Sequence, residues 1–230
     1  MRDERLRMLE RLWRETGSVE DEANYLRARI RLGHLLVRDV QVAAHCGVPS
    51  ARLLDIISSS AVPFDEHNAR AWADCFGAWG RSTCLEVACV AIDPVLEKWE
   101  RLALDVTESA SEVTRLTCSG VCAKSLPRRC VAVLRSNESE CDEKLLSVAI
   151  ELSRASAFCS GLIRHESEAA HDLLAAVSVA LSFAIGESTS IASCLLVLSD
   201  VYDGGWQAVV RVLERHYHDK LHSSAAHAGE

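Results

Sequence analysis

The sequence predicts an all-α fold, built as a multi-helix bundle or as a short irregular array of helical hairpins. Apolar residues recur at spacings of three and four along much of the chain, which is the period of an amphipathic helix. Serine, proline and glycine stand where such helices are expected to begin or end. No β-rich or glycine-rich segment offers a partner for an isolated strand, which favours helices throughout.

Four short helices are predicted within residues 1–57. The first ends before Gly17, which suits a left-handed C-cap. The second begins after Ser18, an expected N-cap, carries acidic residues in its first turn and ends near Gly33. The third covers residues 37–46 and stops at Gly47, and Pro49 opens the fourth. The predicted inward residues of the second helix are Val19, Ala23, Leu26 and Ile30.

The domain boundary is predicted at residues 58–63, which lack helical periodicity and end in a proline. This divides the chain into a short-helix module (1–57), a larger helical bundle (64–222) and a flexible tail (223–230). In the bundle, Asp65 is expected to cap a long helix bent near Gly77 and Gly80, and Asp93 with Pro94 to open another. Further helices are expected near 139–165, 167–185, 189–201 and 206–222. Residues 193–201 would alternatively form a buried strand, and residues 107–136 carry no clear pattern.

Composition and charge restrict the function classes. The net charge is −8, and residues 1–38, with nine arginines and seven acidic residues, are the only mildly basic part. Nucleic-acid binding needs a surplus of Lys and Arg, so no nucleic-acid partner is expected. The most apolar run, residues 173–186, is shorter than the roughly 20 residues of a membrane-spanning helix, so no membrane partner is expected either.

The ten cysteines suggest reduced thiols, because most lie among Ala, Val and Leu, where a thiol acts as a small apolar group. The first ten residues carry charges from the second position onward and have no apolar core, which predicts no secretory signal. Both observations favour a cytoplasmic protein.

Metal and catalytic motifs are weak. His218 and His222 are spaced to share one helix face, but the metalloprotease pattern requires Glu directly after the first His. Together with His216 and His227 they are expected to belong to a solvated, fraying helix end, so no metal ligand is assigned. Cys118 and Cys122 form one close pair where structural zinc sites use two.

No signature of an enzyme is present. Cys159, His165 and Glu166 are neighbours in sequence, but no family signature surrounds them. Phosphate-binding glycine loops are absent as well. The sequence therefore predicts a non-enzymatic protein without a cofactor.

The sequence favours protein binding over catalysis or metal binding. Arg, Trp and Tyr are the residue types enriched among the residues that contribute most to binding energy at protein interfaces. The predicted protein-binding residues are Tyr25, Arg27, Arg31 and Trp206. Trp72 and Trp79 are further candidates. Alternatively, the tryptophans pack in the core, and the arginines pair with Glu20 or Glu22 on their own helix.

Two family resemblances are present. The N-terminal helices contain, in this order, Glu22, Tyr25-Leu26-Arg27, Arg29, Arg31, Gly33, Leu35, Ala43-Ala44, Gly47 and Ala51-Arg52. This order of residues resembles a helical motif of uncharacterised myxobacterial-type bacterial proteins. Residues 79–99 are similar to helical immunity-protein-like families of bacterial toxin loci, in which a tryptophan, small residues and a Pro-x-x-Glu segment recur.

Together these features predict an intracellular, non-enzymatic helical protein that binds another protein as an inhibitor, immunity factor or regulatory adaptor. The partner would be a toxin, a protease or another effector. A metal- or redox-linked helical protein that uses its Cys and His residues is the alternative.

Overall fold

The computed structural model describes residues 2–54, 63–109 and 190–223. These ranges contain eight α-helices, two short 3₁₀-helices and no strand, which confirms the all-α prediction. Several predictions lie outside the described residues: the helices near 139–165 and 167–185, the region 107–136 beyond residue 109, Cys118, Cys122, the Cys159 group and the tail beyond residue 223.

The first four helices follow the predicted pattern, because their ends are encoded locally. They are α1 (Arg2–Thr16), α2 (Val19–Arg31), α3 (Val37–Cys46) and α4 (Pro49–Arg52). The Ser18 side chain accepts a hydrogen bond from the Asp21 N–H and so caps α2. Gly47 ends α3 with a φ of 109°, a left-handed conformation that glycine adopts without a steric penalty.

The following segment differs in two ways from the predicted long, bent helix. It consists of a 3₁₀-helix (Glu66–Asn68), α5 (Ala69–Asp74), a second 3₁₀-helix (Cys75–Trp79) and α6 (Arg81–Ser109). Asp65 does cap its start, but the cap belongs to the first 3₁₀-helix. The prediction that Asp93 and Pro94 open a new helix is wrong, because Pro94 lies inside α6.

Two helices lie near the end of the described chain. They are α7 (Ile191–Val201) and α8 (Gly205–His222), as the periodicity indicates. The alternative of a strand at residues 193–201 is wrong. The Ser190 hydroxyl accepts a hydrogen bond from the Ser193 N–H and caps α7, which favours a helix at the start of this apolar segment.

The chain divides into two compact units, and each is described separately. The first falls within Met1–Cys75 and Val210–Glu230, and the second within Phe76–Val209. Most of α8 therefore belongs with α1–α5, although the sequence assigns residues 64–222 to one bundle. Local periodicity identifies α8 as a helix but carries no information on which surface it covers.

The core of the first unit lies between α2, α3, α4, α5 and α8. Trp72 is the largest fully buried side chain of α5 and packs against the ring of His45, with ring centroids 5.1 Å apart. Its burial supports the core interpretation of this residue over a binding role. The fully buried aliphatic residues of this unit include Leu26, Val40, Leu213 and Leu221.

In the second unit, α7 packs on α6. Cys84, Cys89 and Cys194 are buried between apolar residues, and the five cysteines in the described ranges form no disulfide with one another. The Tyr202 hydroxyl donates a hydrogen bond of 2.5 Å to the carbonyl oxygen of Ala91 in α6. This contact fixes the end of α7 on α6.

Candidate functional site

Glu22 lies in the first turn of α2, where the helix dipole favours a carboxylate, yet its residue surface is only 8% exposed. Its Oε1 atom accepts a hydrogen bond of 2.6 Å from His222 Nε2 and lies 3.3 Å from His218 Nε2. Both histidines come from the last turns of α8. We call Glu22, His218 and His222 the Glu–His cluster.

The cluster is the only group of three or more potential ligands in the described ranges whose ligand atoms converge. Each of the three residues offers one ligand atom, and these atoms lie within 4.8 Å of one another. His218 and His222 are one helical turn apart, so their rings project on the same side of α8. Two imidazole nitrogens and one carboxylate oxygen form a donor set that suits zinc.

An aromatic stack holds the ring of His222. The Trp13 indole of α1 lies parallel to this imidazole, with ring centroids 4.2 Å apart and planes 17° apart. Trp13 also stacks on Tyr25 of α2, at 5.6 Å between centroids. The orientation of His222 toward Glu22 is therefore set by packing from two other helices.

The charge of Glu22 is compensated within the cluster. Burial by itself raises the pKa of this carboxyl group, because it penalises the charged form. The hydrogen bond from His222 and the electrostatic interactions with His222 and His218 act in the opposite direction and outweigh burial. The pKa of Glu22 consequently lies below its ordinary value, and the carboxylate is the form present at neutral pH.

Arg29 joins α2 to the end of α8 at a second point. Its guanidinium group is buried and donates to the backbone carbonyl oxygen of Leu221, and at 3.4 Å to those of Ser223 and His34. The last carbonyl groups of a helix have no partner within it, so this side chain satisfies groups that would otherwise be unpaired. A cavity of about 500 Å³ lies beside it, lined in part by Tyr25 and His222.

A second concave surface lies between α1 and α2, and we call it the arginine groove. It has a volume of about 880 Å³. Its lining residues are Arg5, Leu6, Leu9, Asn24, Arg27, Ala28, Arg31 and Leu32. None of these residues is acidic. The groove therefore combines an apolar floor with three positively charged guanidinium groups and no negative charge.

The predicted binding residues occupy different surroundings. Arg27 and Arg31 line the arginine groove, whereas Tyr25 is buried and stacked near His222. The structure therefore separates Tyr25 from the surface that carries the two arginines. Trp206 is half-buried near the start of α8, in the second unit.

The alternative pairing of these arginines with Glu20 or Glu22 does not occur. Glu20 accepts a hydrogen bond from the Ser18 hydroxyl, and Glu22 faces the histidines. Arg27 instead donates to the side-chain oxygen of Asn24, at 2.8 Å. Within the described part of the chain, Arg27 and Arg31 form no ion pair with a carboxylate.

Sequence reasoning missed the role of Glu22 and Arg29. The expected inward face of α2 contained only apolar residues, but the buried face includes Glu22, Tyr25 and Arg29, at positions i, i+3 and i+7. This helical spacing was the feature of the sequence that could have placed the three residues on one buried face. The expectation of a solvated end to α8 also fails for His222, whose side chain is only 15% exposed, while His227 lies outside the described residues.

No family model, no curated protein and no solved structure matches this chain. Across the described ranges, none of the helices combines the length and the apolar character that crossing a membrane requires. Inferences about function therefore rest on the geometry of the chain itself.

Proposed function

We propose that this chain is an intracellular, non-enzymatic protein that acts by binding another protein, as an inhibitor, immunity factor or regulatory adaptor. The arginine groove receives an acidic, amphipathic segment of that partner. The observation that carries the proposal is the composition of the groove, in which Arg5, Arg27 and Arg31 border an apolar floor without a carboxylate.

The charge of the groove favours one class of occupant. Arg5 and Arg31 are exposed and Arg27 is half-exposed, so their guanidinium groups are available to carboxylates of a partner. The body of the protein is acidic and repels such a segment elsewhere, which concentrates attraction at this groove. Arginine recognises carboxylates through two parallel hydrogen bonds, which adds geometric specificity.

The apolar floor favours a helical segment. Leu6 and Leu9 of α1 and Leu32 of α2 are half-buried and line the groove between the two helices. An amphipathic helix inserts its apolar side chains into such a groove and places its charged side chains along the rim. The expected partner segment therefore carries apolar residues three and four positions apart on one face of a helix and Asp or Glu beside that face.

The test compares two charge-reversal variants of the full chain. Arg27→Glu/Arg31→Glu changes the groove, and Arg7→Glu/Arg11→Glu makes the same change in charge at exposed positions of α1 outside it. Proteins retained from nuclease-treated native lysate are quantified for each, and the partner is then purified. We expect one-to-one binding by calorimetry, weakened at least about tenfold by the groove variant and less than about threefold by the control.

Three results would contradict the proposal. The first is equal retention of the partner by both variants. The second is binding to a basic segment. The third is a partner lost on nuclease treatment, which would indicate nucleic acid.

A further inference from the structure

We propose that Glu22, His218 and His222 bind a divalent zinc ion through one carboxylate oxygen and two imidazole nitrogens. This inference is independent of the arginine groove, because no residue of the Glu–His cluster lines that groove. It rests on the convergence of three ligand atoms in the Glu–His cluster, within 4.8 Å of one another.

The observed distances are close to those of a zinc site. Zinc binds His nitrogen and carboxylate oxygen at about 2.0–2.2 Å in tetrahedral geometry, which places ligand atoms about 3.4 Å apart. Glu22 Oε1 lies 3.3 Å from His218 Nε2 and 2.6 Å from His222 Nε2. The two imidazole nitrogens lie within 4.8 Å of one another. Binding of the ion therefore requires the Glu22–His222 separation to lengthen by less than about 1 Å and the two histidine nitrogens to approach each other by up to about 1.4 Å.

The surroundings hold the ligands in place. The ring of His222 is stacked on Trp13, which limits its rotation. The Nδ1 atom of His218 lies 3.6 Å from the carboxylate of Asp219, on the side of the ring away from Glu22. A carboxylate near the non-ligating nitrogen orients the ring of a zinc-bound histidine and increases its basicity. Two ligands of the set therefore have a supporting contact.

The number of ligands predicts the type of site. Structural zinc sites are usually closed by four protein ligands, whereas this cluster supplies three and leaves one position for water. Because the ligands come from α2 and α8, a bound ion also connects helices that are about 200 residues apart in sequence. Zinc should consequently raise the stability of the first unit, since it binds the folded form in preference to the unfolded form.

The experiment uses the full chain, stripped of metal by a chelator and titrated with zinc alone. Calorimetry should show one ion per chain at this site, and the melting temperature should rise with zinc concentration. Cobalt substitution should give a visible d–d spectrum without the near-ultraviolet band of a cobalt thiolate, which separates this site from the cysteines. Glu22→Gln and His218→Ala should each weaken binding by more than about tenfold.

The matched control is His34→Ala, which removes an exposed histidine outside the cluster and should leave zinc affinity unchanged. Circular dichroism of the metal-free variants establishes that each is folded. Glu22→Gln keeps the size of the side chain, so it remains informative if a histidine variant fails to fold. No saturable zinc binding, a thiolate band with cobalt, or equal affinity of the wild type and Glu22→Gln would overturn the proposal.

Discussion

His45 and Trp72 each donate a hydrogen bond from the side-chain ring to the other residue's backbone carbonyl group. His45 Nε2 lies 2.9 Å from the Trp72 oxygen, and Trp72 Nε1 lies 3.1 Å from the His45 oxygen. The two rings are stacked with their planes 12° apart. This reciprocal pair joins α3 to α5 inside the core of the first unit.

The protonation of His45 should make stability depend on pH. Burial, aided by the charge of Arg52, lowers the pKa of His45 from 6.5 to about 4 in the folded protein. The unfolded chain therefore takes up the proton first as pH falls. The stabilisation is present above pH 6.5 and is lost between pH 6.5 and about 4, at a cost of about 3 kcal/mol.

Urea unfolding of the wild type and His45→Gln between pH 7 and 4 measures this effect. The amide of glutamine can still donate a hydrogen bond but does not titrate in this range. We expect the difference in unfolding free energy between the two proteins to shrink by about 3 kcal/mol as pH falls. A difference that stays constant over this range would contradict the assignment.

Trp13→Ala should destabilise the protein and loosen the Glu–His cluster. The substitution removes the stacking contacts with His222 and Tyr25, which are worth about 0.5–1.5 kcal/mol each beyond the buried area. Leu12→Ala is the control, because Leu12 neighbours Trp13 and is 41% exposed. Chemical denaturation should show a loss of at least about 2 kcal/mol for Trp13→Ala and under about 1 kcal/mol for the control.

Arg29→Lys should be far more harmful than Arg31→Lys. Lysine cannot reproduce the forked donation of Arg29 to Leu221, Ser223 and His34. A hydrogen bond to a charged group is worth about 1.5–3 kcal/mol, so we expect a loss of at least about 1.5 kcal/mol. Arg31 is exposed, and its replacement should change stability by less than about 0.5 kcal/mol. Equal effects in thermal unfolding would refute the role of Arg29.

Cys194 should resist alkylation in the native protein. Burial, and to a smaller extent the nearby Cys89, raises the pKa of its thiol to about 12. At pH 8 about one Cys194 side chain in ten thousand then carries the reactive thiolate. Peptide mapping after iodoacetamide treatment should show label on half-buried Cys75 before Cys194, which reacts only on unfolding. Rapid labelling of Cys194 in folded protein would exclude this burial.

Helix ends were predictable from the sequence because their signals are local. Ser18 contacts a backbone N–H three residues away, and Gly47 needs only its own backbone conformation. Pro94 shows where a local signal is ambiguous. A proline fits the first turn of a helix, but α6 continues through Pro94, and the neighbouring side chains of Ile92 and Val95 are buried.

The Glu–His cluster was only half predictable. The spacing of His218 and His222 places them on one side of a helix, but Glu22 is about 200 residues away in sequence. The predicted inward face of α2 contains only apolar residues, so it omits Glu22 and Arg29, which are buried. They are buried because α8 supplies their partners. The i, i+7 spacing of these two residues places them on one face of α2 but does not show which helix covers that face.

The division of the first unit between two distant segments has a consequence for synthesis on the ribosome. The surface of α2 that carries Glu22, Leu26 and Arg29 is translated long before α8 emerges. About 175 residues separate Arg29 from the start of α8, so roughly 9–35 s pass between them at about 5–20 residues per second. During that interval the nascent first unit lacks its closing helix, and its apolar side chains are open to chaperones and proteases.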